Sequence, residues 1–270
     1  MAFIDNPLFI NTILLGGSSE EKLHAAAAAG FNQVELWQQD VAEATGDDAA
    51  LADLCQQLSL GLTDYQVLLD FDGAPADLRA DKRREALQMM TTAQRLGAST
   101  LLVPASTHPQ CCVNRIDEDL GWLVNEAADR GLRVAYEAMA WSTHINNTAQ
   151  AWQRIQKIDA PNLGLVVDAF HIFVRQRTLA DLAGIPAEKI FLVQLSDLDY
   201  QPDARHLIDT ARHHRLLPGE GKYPLKDLLQ HLQQIDYRGP LGLEVFNDQR
   251  HAANPLITAK AAMASLRGLL

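Results

Sequence analysis

The chain has 270 residues, 47% hydrophobic and 21% charged, which is a globular composition rather than a disordered or fibrous one. Its 34 Asp and Glu outnumber 23 Lys and Arg, and the resulting charge of −11 repels phosphate backbones and anionic lipid, so nucleic acid and membrane surfaces are poor partners. Cys55, Cys111 and Cys112 are too few and too irregularly spaced for a disulfide framework or a thiolate metal site. No window reaches the roughly 18 apolar residues of a spanning helix. The start, Met1-Ala2-Phe3-Ile4-Asp5-Asn6-Pro7, lacks the basic and apolar regions of a signal peptide. Together these features predict a cytoplasmic protein with free thiols.

In chain order, short apolar runs rich in β-branched residues alternate with helical patterns. A strand at Phe9–Leu14 precedes the capping box Ser18-Ser19-Glu20-Glu21, a helix through Ala25–Ala29 and a stop at Gly30. Further strands are expected at Gln33–Trp37, Gly61–Val67, Thr100–Val103, Arg133–Glu137, Gly164–Asp168, Ile190–Leu195 and Leu241–Val245. Helices are expected over Asp40–Leu60, Leu78–Leu96, Ile116–Arg130, Thr148–Lys157, Leu179–Ala183, Pro224–Ile235 and Asn254–Leu269. Eight βα units without a linker or low-complexity break, in a chain near the roughly 250 residues typical of such folds, predict one (β/α)8 TIM barrel spanning residues 1–270. The competing doubly wound sheet lacks its fingerprint, because Gly16-Gly17 is not completed to G-x-G-x-x-G and there is no phosphate-binding P-loop.

A barrel gathers its chemistry at the C-terminal ends of its strands. Strand five ends in Glu137, strand six in Asp168, strand seven carries Gln194 and strand eight Glu244, while strand two carries Glu35. One such carboxylate could be a helix cap or could hydrogen-bond a loop. Four acid or amide groups on consecutive strands converge on one mouth, where their repulsion is costly unless a cation lies between them. An all-oxygen donor set suits Mg²⁺ or Mn²⁺ better than zinc, and Co²⁺ also accepts it. His171 follows Asp168 by three residues and His144 follows Glu137 by seven. His171 is the expected general base, with His144 a candidate acid. The loop Arg212-His213-His214-Arg215-Leu216-Leu217-Pro218-Gly219-Glu220-Gly221 could be a plain turn, or a lid whose Arg212 or Arg215 meets an anionic group of the substrate.

These stretches also carry a resemblance. Leu132–Trp141, Val167–His171, Val193–Asp197, Arg212–Gly221 and Gly239–Asp248, with Gly30–Glu35 and Asp70–Gly73 in the first half, resemble the xylose-isomerase-like superfamily of metal-dependent isomerases, epimerases and dehydratases. Within it the likeness is greatest to bacterial 3-dehydroshikimate dehydratases, which form protocatechuate. The resemblance implies that Glu137, Asp168, Gln194 and Glu244 hold one divalent ion beside His171. Glu35 would orient hydroxyls, and Arg215, Arg212, Tyr65 and Asp197 would contact a small polar carboxylate or polyol. Leu69 departs from the pattern, standing where such dehydratases carry an Arg. The implied reaction is a dehydration in which the metal acts as Lewis acid toward a developing enolate. The alternative is a sugar or inositol isomerase, epimerase or dehydratase on the same metal, with Glu137 and Glu244 as the acid–base pair. A non-catalytic sugar-binding relative would not need the full donor set with His171, and a DNA-repair nuclease on this barrel would need more His ligands and a basic groove. Apolar residues on the outer helices would permit a homodimer.

Overall fold

The computed structural model describes Phe3 and residues 5–270. Residues 1, 2 and 4, part of the stretch read for a leader, lie outside the described residues. Eight parallel strands close into a barrel in chain order: β1 (Leu8–Asn11), β2 (Gln33–Trp37), β3 (Gly61–Gln66), β4 (Thr100–Pro104), β5 (Arg133–Glu137), β6 (Leu163–Asp168), β7 (Ile190–Leu195) and β8 (Leu241–Leu243). Among the described residues no helix is long and apolar enough to cross a membrane.

Around the strands run α1 (Ser19–Ala29), α2 (Gln38–Glu43), α3 (Asp48–Gln57), α4 (Arg79–Leu96), α5 (Ile116–Ala128), α6 (Thr148–Ile158), α7 (Ala169–Phe173), α8 (Leu207–His213), α9 (Leu225–Gln234), α10 (Asp248–His251) and α11 (Pro255–Leu269). The capping box opens α1, and Gly30 closes it in the left-handed conformation at φ 93°. The single helix expected over Asp40–Leu60 is two helices. Gly46, at φ 125°, turns the chain, and the Asp47 side chain accepts from the Ala50 N–H to start α3. The first strand is shorter than expected, because Asn11 caps a 3₁₀ turn over Thr12–Leu14. The segment at Leu179–Leu182 is likewise a 3₁₀ turn. The short helices α7, α8 and α10 all follow strand ends and were not anticipated.

Strand residues alternate between two environments. Ile10, Val34, Leu36, Tyr65, Leu101, Val103, Val134, Tyr136, Leu165, Val167, Val193 and Leu195 join the main core between sheet and helices. Phe9, Leu102, Ala135, Val166, Phe191 and Leu192 form a separate apolar plug. Two inward glycines make room for its rings. A Cβ at Gly242 would lie 2.2 Å from the Phe9 carbonyl oxygen, and one at Gly164 would lie 2.5 Å from the Phe191 ring. The plug seals the interior, so the polar inward residues nearer the strand ends sit above a dry floor.

The loops after β3 and β4 are tied to β5 by a buried acid. Tyr136 donates from its hydroxyl to Asp72 Oδ2 at 2.7 Å, and the Ser106 N–H donates to Oδ1 at 2.8 Å. Burial pushes the Asp72 carboxyl up to about 6, although both donors pull it down. Tyr136→Phe keeps the ring and removes one donor from an enclosed carboxyl. It is expected to lower the unfolding free energy by about 1.5–3 kcal/mol in urea titrations at neutral pH.

Candidate active site

β5 ends at Glu137 and β6 at Asp168, and Gln194 on β7 is the cross-strand partner of Asp168. Glu244 follows β8 directly. All four are nine-tenths or more buried. Asp168 divides its two oxygens. Oδ1 accepts from the Phe170 N–H at 2.8 Å and so starts α7, and Oδ2 accepts from Arg215 Nη1 at 2.9 Å. Because α7 begins at once, His171 falls one turn on and folds back over the mouth. Its Nε2 stands 3.4 Å from Glu137 Oε1 and 3.5 Å from Asp168 Oδ2. Glu137, Asp168 and His171 offer ligand atoms all within 4.8 Å of one another.

The tautomer of His171 follows from its other nitrogen. Nδ1 accepts the Ala140 N–H at 3.0 Å, so the proton of the neutral ring is on Nε2, facing the carboxyls. Burial lowers its pKa to about 4, with Arg215 adding to the effect and Asp168 opposing it. The expected base role needs an open lone pair at the mouth, and as placed His171 presents an N–H there instead. Trp141 packs against the ring at a centroid distance of 5.0 Å.

Arg215 is 2% exposed, clamped between the rings of Phe170 and Phe246 with Cζ 4.3 and 5.1 Å from their centroids. Nη1 donates to Asp168 Oδ2 and, at 3.1 Å, to Glu244 Oε2, while Nε donates to the Ala211 carbonyl. The expected lid arginine is thus an internal counter-ion of the donor ring that also lines the pocket. Burial pulls against its charge, but Asp168, Glu244 and Glu137 outweigh it, so its pKa is raised. Arg212, exposed on α8, lines the same pocket and makes no ion pair among the described residues.

One guanidinium does not balance the ring. Glu137 is held well above the usual carboxyl range by burial and by the charges of Glu244 and Asp168, and Glu244 is pushed to about 8, mainly by burial. Next to them Glu35 and Asp64, cross-strand partners on β2 and β3, stand carboxyl to carboxyl and fully buried. Two acceptors cannot satisfy each other unless one keeps a proton. Accordingly Glu35 is raised well above its ordinary value by burial and by Asp64 and Glu244, and Asp64 is raised by burial to about 7.

The residues fit a divalent cation. Glu137 Oε1 and Gln194 Oε1 are buried without a hydrogen-bond partner, an expensive state for an isolated oxygen, and each is a hard donor of the kind that Mg²⁺ and Mn²⁺ prefer. Gln194 has its amide turned by Glu35, since Nε2 donates to Glu35 Oε1 at 2.8 Å. Asn11 donates to Glu244 Oε1 at 3.1 Å and is itself fixed by the Trp37 indole N–H at 2.6 Å.

A cavity of about 320 Å³ opens above these groups, walled by Trp37, Val67, Leu69, Pro104, Met139, Trp141 and Phe246. Leu69, half exposed, is part of that wall. Three sequence candidates lie elsewhere. Tyr65 points into the main core. Asp197 folds the loop after β7 by accepting from the backbone N–H groups of Leu198, Gly219 and Tyr223. His144 pairs through Nε2 with the Cys111 carbonyl. Sequence reasoning missed Asp64, Gln66, Asn11 and the aromatic walls. Asp64 and Gln66 sit two apart on one strand, and that alternation is the one signal that could have placed them inside.

A sequence-family model described as xylose isomerase-like TIM barrel matches residues 23–269. The 3-dehydroshikimate dehydratase of Pseudomonas aeruginosa is 36% identical over 267 residues, which are 97% of this chain and 41% of that protein. The chain therefore spans less than half the length of that relative. The inosose isomerase of Bacillus velezensis is 23% identical over 260 residues, covering 93% of this chain and 91% of that one. Among solved structures, a xylose isomerase-like TIM barrel/4-hydroxyphenylpyruvate dioxygenase fusion protein superposes with a TM-score of 0.93 at 32% identity, over 98% of this chain and 43% of that one.

Protons and a cation compete for the same carboxyls. Groups with raised pKa must give up a proton to hold an ion, so Mn²⁺ affinity is expected to tighten as pH rises through about 8, where Glu244 gives up its proton. Calorimetry in buffers of different ionisation enthalpy should register the released protons, and a pH-independent affinity would contradict this electrostatic account.

Proposed function

Because this chain belongs to the xylose isomerase-like TIM barrel family, we propose that it is a divalent-metal-dependent 3-dehydroshikimate dehydratase yielding protocatechuate and water. The observation that carries this reading is the meeting, at one mouth, of an oxygen-donor ring short of positive charge with Arg212, which makes no ion pair among the described residues, over an apolar-walled cavity. Such a cavity suits a small cyclic acid, and the named relative supports the particular substrate.

Glu137, Asp168, Gln194 and Glu244 would hold the ion, which when bound supplies Lewis-acid polarisation of a substrate oxygen. Arg212 takes the substrate carboxylate, a bidentate match that offsets the Leu found at position 69. His171 donates from Nε2 to the oxygen where negative charge grows. Glu137 lines the pocket, and through the carboxylate oxygen not given to the ion it takes the proton from the carbon beside the ketone and returns it to the departing β-hydroxyl, which leaves as water. Tautomerisation of the dehydrated ring then gives the aromatic product. Trp141 and Phe246 shield these proton transfers from bulk water.

The test is to strip the protein with chelator, restore Mn²⁺ or Mg²⁺, add 3-dehydroshikimate and follow the aromatic absorbance of protocatechuate. Product is expected only with metal, and His171→Ala is expected to lose about 10²–10³-fold in turnover while still binding the ion. A folded, metal-loaded sample that makes no product overturns the dehydratase reading. The second reading is then isomerisation of an inosose or ketose, favoured by two carboxyls, Glu137 and Glu244, at one mouth and by the likeness to inosose isomerase.

A further inference from the structure

An amide ligates a hard cation through its oxygen alone, so a glutamine in a donor ring must be held the right way round. Gln194 is fully buried, and only one of its two ends is engaged. Nε2 donates to Glu35 Oε1 at 2.8 Å, whereas Oε1 has no partner. Turning the amide over would set its oxygen against the acceptor oxygen of Glu35 and point two N–H donors into the space the ring encloses. Glu35 does not reach the pocket: it is fully buried and not among the lining residues. Its far side is taken up by Asp64, its partner across β2 and β3.

We propose that Glu35 is a positioning residue that sets the Gln194 amide with Oε1 toward the ion, rather than a group that touches substrate. The inference rests on the reading of Gln194 as a ligand. It gives Glu35 a role different from the hydroxyl-orienting one expected from the sequence, and it explains why an acid lies fully buried beside a ring that already holds more carboxyls than one guanidinium can balance. The other ring members need no such device, because a carboxylate can ligate through either oxygen.

Calorimetric titration of Mn²⁺ into the metal-stripped full chain tests this. Glu35→Met removes the acceptor and is expected to weaken binding about 10–100-fold, the usual scale for a residue that orients a ligand. Glu35→Gln can still accept from Gln194 through its own amide oxygen, with its nitrogen toward Asp64, and is expected to stay within about threefold of the parent. Thermal midpoints of the stripped proteins separate this from packing, since a purely structural role would not divide the two variants in metal affinity. If Glu35→Met does not fold, Glu35→Ala, whose space water can fill, takes its place. Parent-like Mn²⁺ affinity in the folded Met or Ala variant, with the parent binding normally, overturns the positioning role alone. A parent chain that binds no divalent ion overturns the metal reading and this inference with it.

Discussion

Repulsion among carboxyl groups packed into the mouth of a closed barrel is the constraint on which the rest of this site depends. Glu35, Asp64, Glu137, Asp168 and Glu244 are all buried there, and Arg215 is the one buried guanidinium among them. Uncompensated charge in a dry interior costs several kcal/mol per ion. Burial pushes Glu137, Glu244, Glu35 and Asp64 up, toward their protonated forms, and a shared proton is one way for such acids to meet that cost without a cation. A divalent ion meets it differently, by replacing those protons with charge at the centre of the ring.

The surrounding architecture makes this concentration of acids possible. The plug of Phe9, Phe191 and their neighbours closes the floor, with Gly164 and Gly242 leaving space for the two rings. Arg215 cannot swing away, because it is held between Phe170 and Phe246 and by the Ala211 carbonyl. His171 cannot turn over without losing the Ala140 N–H, so the same face always meets the carboxyls. These groups are therefore fixed in place by the fold, and a fixed polar environment of this kind is what lowers barriers for charge-forming steps.

Much of this was legible in the sequence, for a definite reason. A parallel barrel strand is a short apolar run, and the polar residue that ends it stands out, so Glu137, Asp168 and Glu244 could be located and their convergence on one mouth inferred from topology alone. Gln194 joined them through its place in the seventh run. Asp64 and Gln66 were hidden because β3 reads Gly-Leu-Thr-Asp-Tyr-Gln, where their spacing of two puts them on one face but polar residues ordinarily mark the outer face of a strand. Tyr65, expected at the site from the resemblance, lies between them, and period-two geometry sends it to the outer core. Arg215 was visible as a cation near an acidic mouth, but its burial depends on α8 and on two aromatic rings that come from other loops. His144 and Asp197 follow strand ends as the residues at the mouth do, and only tertiary structure shows that they are occupied with loop backbone. Helices α7, α8 and α10 escaped detection because each has four to seven residues, too short for a periodic signal.

Anomalous diffraction from crystals soaked in Mn²⁺ tests the central claim most directly. One strong peak enclosed by Glu137, Asp168, Gln194 and Glu244, with the Gln194 oxygen turned toward it, is the predicted result. No peak in a well-ordered mouth, or a peak bound elsewhere on the chain, would contradict a ring of acids built to hold a cation.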